Sequence, residues 1–280
     1  LGFTPLEHEY KLMGMAPYAD PTYAEPTSRI YESYLGFDPA QPMRFRRRIS
    51  EPLSEVGPRL QRDLGRTRFD SVCAGLQLFT ERILCAWVQR CIEQTGVSRV
   101  LAAGGVFMNV KANKAVSELK EVTCFEAFPS CGDESLPIGS CYLEAHALGV
   151  QSAPIEHCYL GNDLSLEECR QAVADAGDQV SAEEPADLAD SVAQILADGE
   201  IVARASGPME FGARALGNRS ILADPRNQDV VRVINRMIKK RDFWMPFAPV
   251  VLRRHAAAYF ANPKSLPSPY MMNTFDSTDQ

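Results

Sequence analysis

Residues 98–135 read SRVLAAGGVFMNVKANKAVSELKEVTCFEAFPSCGDES. An apolar run ends in the pair Gly104 and Gly105, a segment of helical composition (NVKANKAVSELK) follows, and a second strand-like run (VTCFEAF) ends in the turn PSCGDES. Strand, glycine turn, helix, strand is the order of an α/β unit, and such units place ligands at the carboxyl ends of their strands, where the turns open. The stretch therefore predicts an α/β fold with a binding edge at Gly104, Gly105 and Asn109, where backbone and a side-chain amide meet a nucleotide. A glycine pair alone is a weak signal, and a tight turn made for packing is its commoner use. Asp133, in the second turn, either binds a metal or caps the helix that follows.

On the N-terminal side, Val72, Leu76, Phe79, Ile83, Trp87 and Cys91 recur at three- and four-residue steps and predict a helix from Asp70 to a stop at Gly96. HEYKLMGMAPYADP reads as a short helix that runs into a loop at Pro17 and Pro21. The arginine-rich residues 43–68 read as a solvated face or loop.

On the C-terminal side, LPIGSCYLEAHALG predicts a small-residue helix able to pack closely on a sheet. A proline-containing connector between Gly149 and Gly161 puts a domain boundary near residue 155, giving domains 1–155 and 156–280. The second opens with LSLEECRQAVADAG, where Ser165 and Glu168 fit a capping box. A helix over ADLADSVAQILADG, a strand at EIVARAS, a helix over 228–241 (QDVVRVINRMIKKR) and a strand at FAPVVL complete it.

The composition is that of a soluble globular protein, 45% hydrophobic and 23% charged. No window approaches the ~18 apolar residues of a membrane span, so the cytoplasm is the expected compartment. The eight cysteines show no CxxC pair or zinc-ligand spacing and read as reduced thiols, mostly in the core. GxSxG, Walker A and HExxH sequences are absent, which removes serine hydrolases and zinc proteases of those types. Charge is uneven: Glu200 to His255 carries eleven Lys or Arg against five Asp or Glu, +6 locally against −7 overall, which leaves −13 for the rest. That region is suited to meet an anion.

Within it lies MEFGARALGNRSILADPR, residues 209–226. Arg214, Arg219 and Arg226 supply planar donor forks that match phosphate or carboxylate oxygens, and the glycines beside them let backbone amides approach the same anion. The bland reading pairs these arginines with Glu210 and Asp224. A second basic element, IKKRDFWMPF, places Lys239, Lys240 and Arg241 at a predicted helix end, where they also suit the helix dipole.

Together these motifs resemble the NodU/CmcH-type O-carbamoyltransferases. MEFGARALGNRSILADPR is similar to the family's MEFGPRALGNRSILADPR, with Ala213 for proline. EYKLMGMAPY, LAAGGVFMNVKAN, SCGDESLPIGSCYLEA and YLGNDLSLEE resemble further family elements in the family's order, so the resemblance covers nearly the whole chain. It implies the latter half of an actin-like/hexokinase-like (ASKHA) ATPase fold, followed by part of a YrdC-like α/β domain. It implies an ATP-dependent enzyme that forms carbamoyl-adenylate from carbamoyl phosphate and ATP and passes the carbamoyl group to a hydroxyl of a small acceptor, a secondary metabolite or sugar. The resemblance also implies a divalent metal, iron or similar, that holds the nucleotide.

Carried over by residue, the resemblance makes Arg214, Lys239 and Arg241 the carbamoyl phosphate site, gives Gly104, Gly105, Asn109 and Arg219 to the nucleotide, and makes Asp133 a metal ligand. Two departures stand out. Met245-Pro246-Phe247 replaces the family's R-P-F, so that either Arg219 or Arg253 substitutes or the donor differs, and the family's metal-binding histidine pair belongs upstream of Leu1. The chain reads as an internal fragment of a longer protein. A homodimer is expected, and neither nucleic acid nor membrane is an expected partner. The alternatives are a threonylcarbamoyl-type transferase acting on tRNA, which the acidic first domain disfavours, and a nucleotide-binding scaffold without catalysis.

Overall fold

The computed structural model describes residues 1–4, 7–227 and 229–278. The chain begins with α1 (Glu9–Met15), a 3-10 turn (Ala16–Tyr18), α2 (Pro21–Glu32), β1 (Leu35–Phe37), β2 (Phe45–Arg47), α3 (Leu53–Leu64) and α4 (Phe69–Thr95). It continues through β3 (Arg99–Ala102), a 3-10 turn (Gly105–Met108), α5 (Val110–Glu118), β4 (Cys124–Ala127), α6 (Leu136–Ala147), α7 (Leu166–Ala176) and α8 (Leu188–Ala197). The last part holds β5 (Val202–Ala205), β6 (Arg219–Leu222), α9 (Asp229–Val233) with a following π turn (Ile234–Ile238), α10 (Ala256–Tyr259), β7 (Phe260–Ala261) and β8 (Asp276–Ser277). Two compact units emerge: Leu1–Gly132 with Trp244–Gln280, and Asp133–Phe243.

In the first unit, β3 and β4 pair in parallel, Arg99 opposite Cys124 and Ala102 opposite Ala127, with α5 as the crossover. The α/β expectation is met here. Leu84 and Val88 of α4, Ala102, Phe107, Ala112 and Val116 of α5, and Val122 and Phe125 form one buried cluster. Complete burial of Phe125, Val116 and Val122 contributes about 1.5–3 kcal/mol for each side chain. Two side chains fasten the C-terminal segment onto α5. Buried Asn113 donates to the carbonyls of Phe107 and Met272, each at 2.7 Å. The Lys264 ammonium donates to the carbonyls of Ser117, Leu119 and Val122 at 2.7, 2.5 and 2.8 Å, satisfying the end of α5.

Helix α4 matches its predicted span within one residue, and Gly96, at φ 69°, closes it with a hydrogen bond to the Ile92 carbonyl. Its burial differs from the predicted stripe: Leu84 and Val88 are buried, whereas Ile83 and Trp87 are half-buried. The helix is packed on more than one side, because Ser71 to Gly75 are buried as well. At Gly75 a Cβ would fall 2.5 Å from Thr27 Cβ, so glycine sets the approach of α2 to α4.

Three expectations need correction. Pro21 does not break structure but begins α2, with the Asp20 side chain accepting the Thr22 N–H at 2.8 Å; proline at N1 is pre-set for a helix. FAPVVL forms no strand: Pro246 and Pro249 remove ladder donors, and Val250 and Leu252 are exposed. Helix α6 forms but buries none of its residues, so its predicted packing on a sheet is not seen. The arginine-rich stretch is solvated as expected, with β2 exposed and no buried residue in α3.

All eight cysteines are free; Cys73, Cys131 and Cys158 are buried, while Cys141 and Cys169 are exposed, so fewer lie in the core than expected. Among the described residues no helix is long and apolar enough to cross a membrane.

Candidate functional site

In the second unit, β5 and β6 form an antiparallel hairpin with Ala205 opposite Arg219, and the MEFGARALGN loop fills its connection. One side chain holds the loop. Glu210 Oε1 accepts the backbone N–H groups of Leu216, Asn218 and Arg219 at 2.9, 2.7 and 3.0 Å. Burial raises its proton affinity, but the N–H groups of Arg219, Leu216 and Asn218 outweigh it and hold the carboxyl below the usual glutamate range. Gly212 and Gly217, at φ 98° and 112°, make the turns that bring those amides onto one oxygen. The strip Cys158–Asn162 runs beside 209–211: Phe211 N–H donates to Cys158 O at 2.6 Å and Met209 N–H to Asn162 O at 3.0 Å. Tyr159 Oη donates to the Leu216 carbonyl at 2.9 Å, so YLGN and MEFG, 50 residues apart in sequence, are one structural element.

The three arginines of the loop differ in use. Arg226 makes a forked pair with Asp224, its Nη2 at 2.6 Å and Nε at 2.8 Å from Oδ2, as the bland reading expects. Arg219 directs its guanidinium to the carbonyls of Gly207 and Asn218, both at 3.0 Å, and cross-links the loop. Glu210 pairs with backbone rather than with guanidinium. Arg214 is half-buried, on the arc that Glu210 closes.

Lys239, Lys240 and Arg241 do not end a long helix. The helix predicted over 228–241, whose first residue Gln228 lies outside the described residues, stops at Val233 and widens into the π turn. The chain reverses at Lys240, φ 48°, and returns beneath buried Asn235. Asn235 accepts Arg241 Nε–H on its side-chain oxygen at 2.5 Å and Arg241 N–H on its carbonyl at 2.9 Å. Its amide donates to Phe243 O at 3.4 Å. Arg232, Asn235, Arg236, Arg241 and Phe243 line a groove of about 470 Å³. Arg232, Asn235 and Arg236 were absent from the sequence-based site; their i, i+3, i+4 spacing was the available signal.

In the first unit, Gly104 (φ 107°) and Gly105 are exposed at the carboxyl end of β3, and a Cβ on either would meet no atom within 4 Å. Gly104 N–H donates to Cys131 O at 3.0 Å, which ties this turn to the one after β4. Asn109 caps α5, accepting Ala112 N–H at 3.0 Å, and exchanges side-chain hydrogen bonds with Gln77. Asp133, the first residue of the second unit, is exposed in a 3-10 turn, and the N-cap of α6 is Ser135, without a side-chain cap bond. Among the described residues no group of three or more His, Cys, Asp or Glu is placed to hold a metal. Asp133 is therefore a single oxygen donor, and these residues do not fit a complete metal site.

The architecture is that of an α/β protein whose second unit carries a carboxylate-braced, arginine-bearing loop. The chain belongs to the carbamoyltransferase family. Its residues 1–142 match the family model for the carbamoyltransferase N-terminus, and residues 193–280 match that for the C-terminus. It is 33% identical to nodulation protein NolNO of Sinorhizobium fredii over 92% of this chain and 38% of that protein. To nodulation protein NolO of Bradyrhizobium diazoefficiens it is 32% identical over 91% of this chain and 47% of that protein. An uncharacterised protein of Synechocystis matches the whole chain at 32% identity, over 48% of its own length. The chain thus spans less than half the length of these relatives.

Proposed function

We propose that the whole protein is an ATP-dependent O-carbamoyltransferase. In this reading residues 1–155 are the latter part of an ASKHA-type carbamoyl-transfer domain, and residues 156–280 are part of a YrdC-like domain that forms carbamoyl-adenylate. In the second, water releases phosphate from carbamoyl phosphate and leaves carbamate, whose oxygen attacks the α-phosphorus of ATP and expels pyrophosphate to give carbamoyl-adenylate. The acceptor hydroxyl then attacks the carbamoyl carbon in the first, and AMP leaves.

The observation that carries the reading is the loop closed by Glu210. Three backbone amides fixed on one carboxylate hold the arc that bears Arg214, so its guanidinium meets the donor phosphate already positioned. Lys239 and Arg241 add positive charge for the leaving phosphate, and Arg219 supports the loop from behind through its carbonyl contacts. The open turn at Gly104 and Gly105 lets a nucleotide approach backbone, with Asn109 at its edge. Asp133 offers a single carboxylate, which by itself does not make a metal site.

The test is carbamoyl-phosphate-dependent release of pyrophosphate from ATP by the full-length protein. Release that requires both substrates supports the enzyme. One observation favours a second reading, a nucleotide-binding scaffold: Met245, which stands where the family resemblance expects arginine, is buried, with its sulfur 3.2 Å from where a Cβ on Gly14 would lie. ATP binding without pyrophosphate release would support the scaffold.

A further inference from the structure

Gln77 and Glu81 of α4 have no task in the proposed function, yet they form a chain of hydrogen bonds that ends on Asn109. Gln77 is buried, and its Nε2 donates to Glu81 Oε1 at 2.7 Å and to Asn109 Oδ1 at 3.1 Å. Asn109 Nδ2 donates back to Gln77 Oε1 at 2.8 Å, and Asn109 Oδ1 also accepts Ala112 N–H at 3.0 Å as the cap of α5. The direction of both amides is fixed from both ends. A carboxylate only accepts, so Gln77 turns its NH2 group to Glu81; a backbone N–H only donates, so Asn109 turns its oxygen to Ala112. The two constraints agree, and together they commit both lone pairs of Asn109 Oδ1 and one hydrogen of Nδ2. The other Nδ2 hydrogen has no acceptor among the described residues, and Asn109 is half-buried beside the open turn that follows β3.

We infer that Gln77, held by Glu81, is a positioning residue that makes Asn109 a donor-only contact. Asn109 then offers a ligand one N–H and no free lone pair, so it takes an acceptor oxygen, of a phosphate or a ribose, and rejects an amino group at that point. Packing alone asks for no polarity at position 77: an apolar side chain of the same length fills the same space, and a buried amide is costly unless it is hydrogen-bonded. Holding the Asn109 amide in one direction before the ligand arrives also removes an ordering cost from binding. The choice of a nucleotide as ligand rests on the proposed function; the fixed direction of Asn109 does not.

The experiment is calorimetric titration of ATP, AMP and adenosine, separately, into the full-length protein as wild type, Gln77→Met, the double variant Gln77→Glu with Glu81→Gln, and Asn109→Ala. Thermal melts serve as the check on folding, and Gln77→Leu stands in if the methionine variant does not fold. Gln77→Met keeps the length of the side chain and deletes its polarity, so Asn109 turns freely and AMP binding weakens by about five- to tenfold, the loss of roughly one hydrogen bond. In the double variant the new carboxylate at 77 accepts from Asn109 Nδ2 and the new amide at 81 donates to it. Asn109 keeps its direction there, and AMP binding returns to within about threefold of wild type. Loss in the first variant with rescue in the second is a pattern that altered packing does not produce. If the acceptor oxygen belongs to a phosphate, Asn109→Ala weakens ATP and AMP and spares adenosine; if it belongs to the ribose, all three weaken together. AMP bound by folded Gln77→Met as tightly as by wild type overturns the positioning role, and so does a double variant as weak as Gln77→Met. Either result leaves carbamoyl transfer, whose test is pyrophosphate release, in place. Folded wild-type protein that binds none of the three ligands removes the nucleotide reading of Asn109 and the positioning role with it.

Discussion

Glu210→Gln removes one charge and leaves the side chain's shape, so it tests whether the carboxylate organises the arginine loop. Glu210 Oε1 takes three N–H groups at 2.7 to 3.0 Å. A hydrogen bond to a charged group contributes about 1.5 kcal/mol at the low end, and a neutral acceptor retains roughly half of that. Three bonds sharing one oxygen then lose about 2 kcal/mol together. That corresponds to about 30-fold easier opening of the loop. Amide hydrogen exchange at Leu216, Asn218 and Arg219, followed by NMR or mass spectrometry at pH 7, should accelerate by that factor while the amides of α4 keep their protection. Acid provides the same perturbation in the wild type. The folded-state pKa of Glu210 lies below the usual glutamate value of 4.5, so its contribution is complete above that value and is lost as pH falls through the lower folded value. The glutamine variant lacks this acid-side loss. Unchanged exchange at the three amides in the variant would refute the bracing role of the carboxylate.

Other outcomes follow from the packing. Lys264→Met removes the ammonium from three carbonyls at and just beyond the end of α5 and should lower stability by about 2 kcal/mol in urea titration. Gly75→Ala should cost about 1–3 kcal/mol despite the better helix propensity of alanine, because the new methyl overlaps Thr27; an unchanged urea midpoint would show that α2 can move aside. Thiol labelling at pH 8 should reach Cys141 and Cys169 first. Cys73 and Cys85 should resist in the folded protein, since burial pushes both thiols up to about 11.

Local rules were the legible part of this sequence. The apolar spacing of α4 and its glycine stop gave that helix within a residue, and the strand–turn–helix order around Gly104 gave the parallel pair β3–β4. Ser165 and Glu168 make the capping box in both directions. What was not legible depends on partners distant in sequence. Nothing near Glu210 announces that it will collect three amides, and the loss of helix after Val233 comes from Asn235, which bonds a returning chain at Arg241 and Phe243. Arg219 illustrates the same limit: its motif suggested an anion, and its guanidinium bonds to carbonyls of its own loop. Burial of Met245 likewise requires Gly14, more than 200 residues away.

The proposed role of the loop around Arg214 is to hold the phosphate of a carbamoyl donor. Its most direct test is calorimetric titration of carbamoyl phosphate into the full-length protein, wild type and Arg214→Ala, with inorganic phosphate as competitor. The expected result is saturable binding that phosphate displaces and that Arg214→Ala abolishes while the melting temperature is retained. Wild-type protein that is folded and binds no carbamoyl phosphate, with or without ATP, or a variant that binds it equally well, would contradict it.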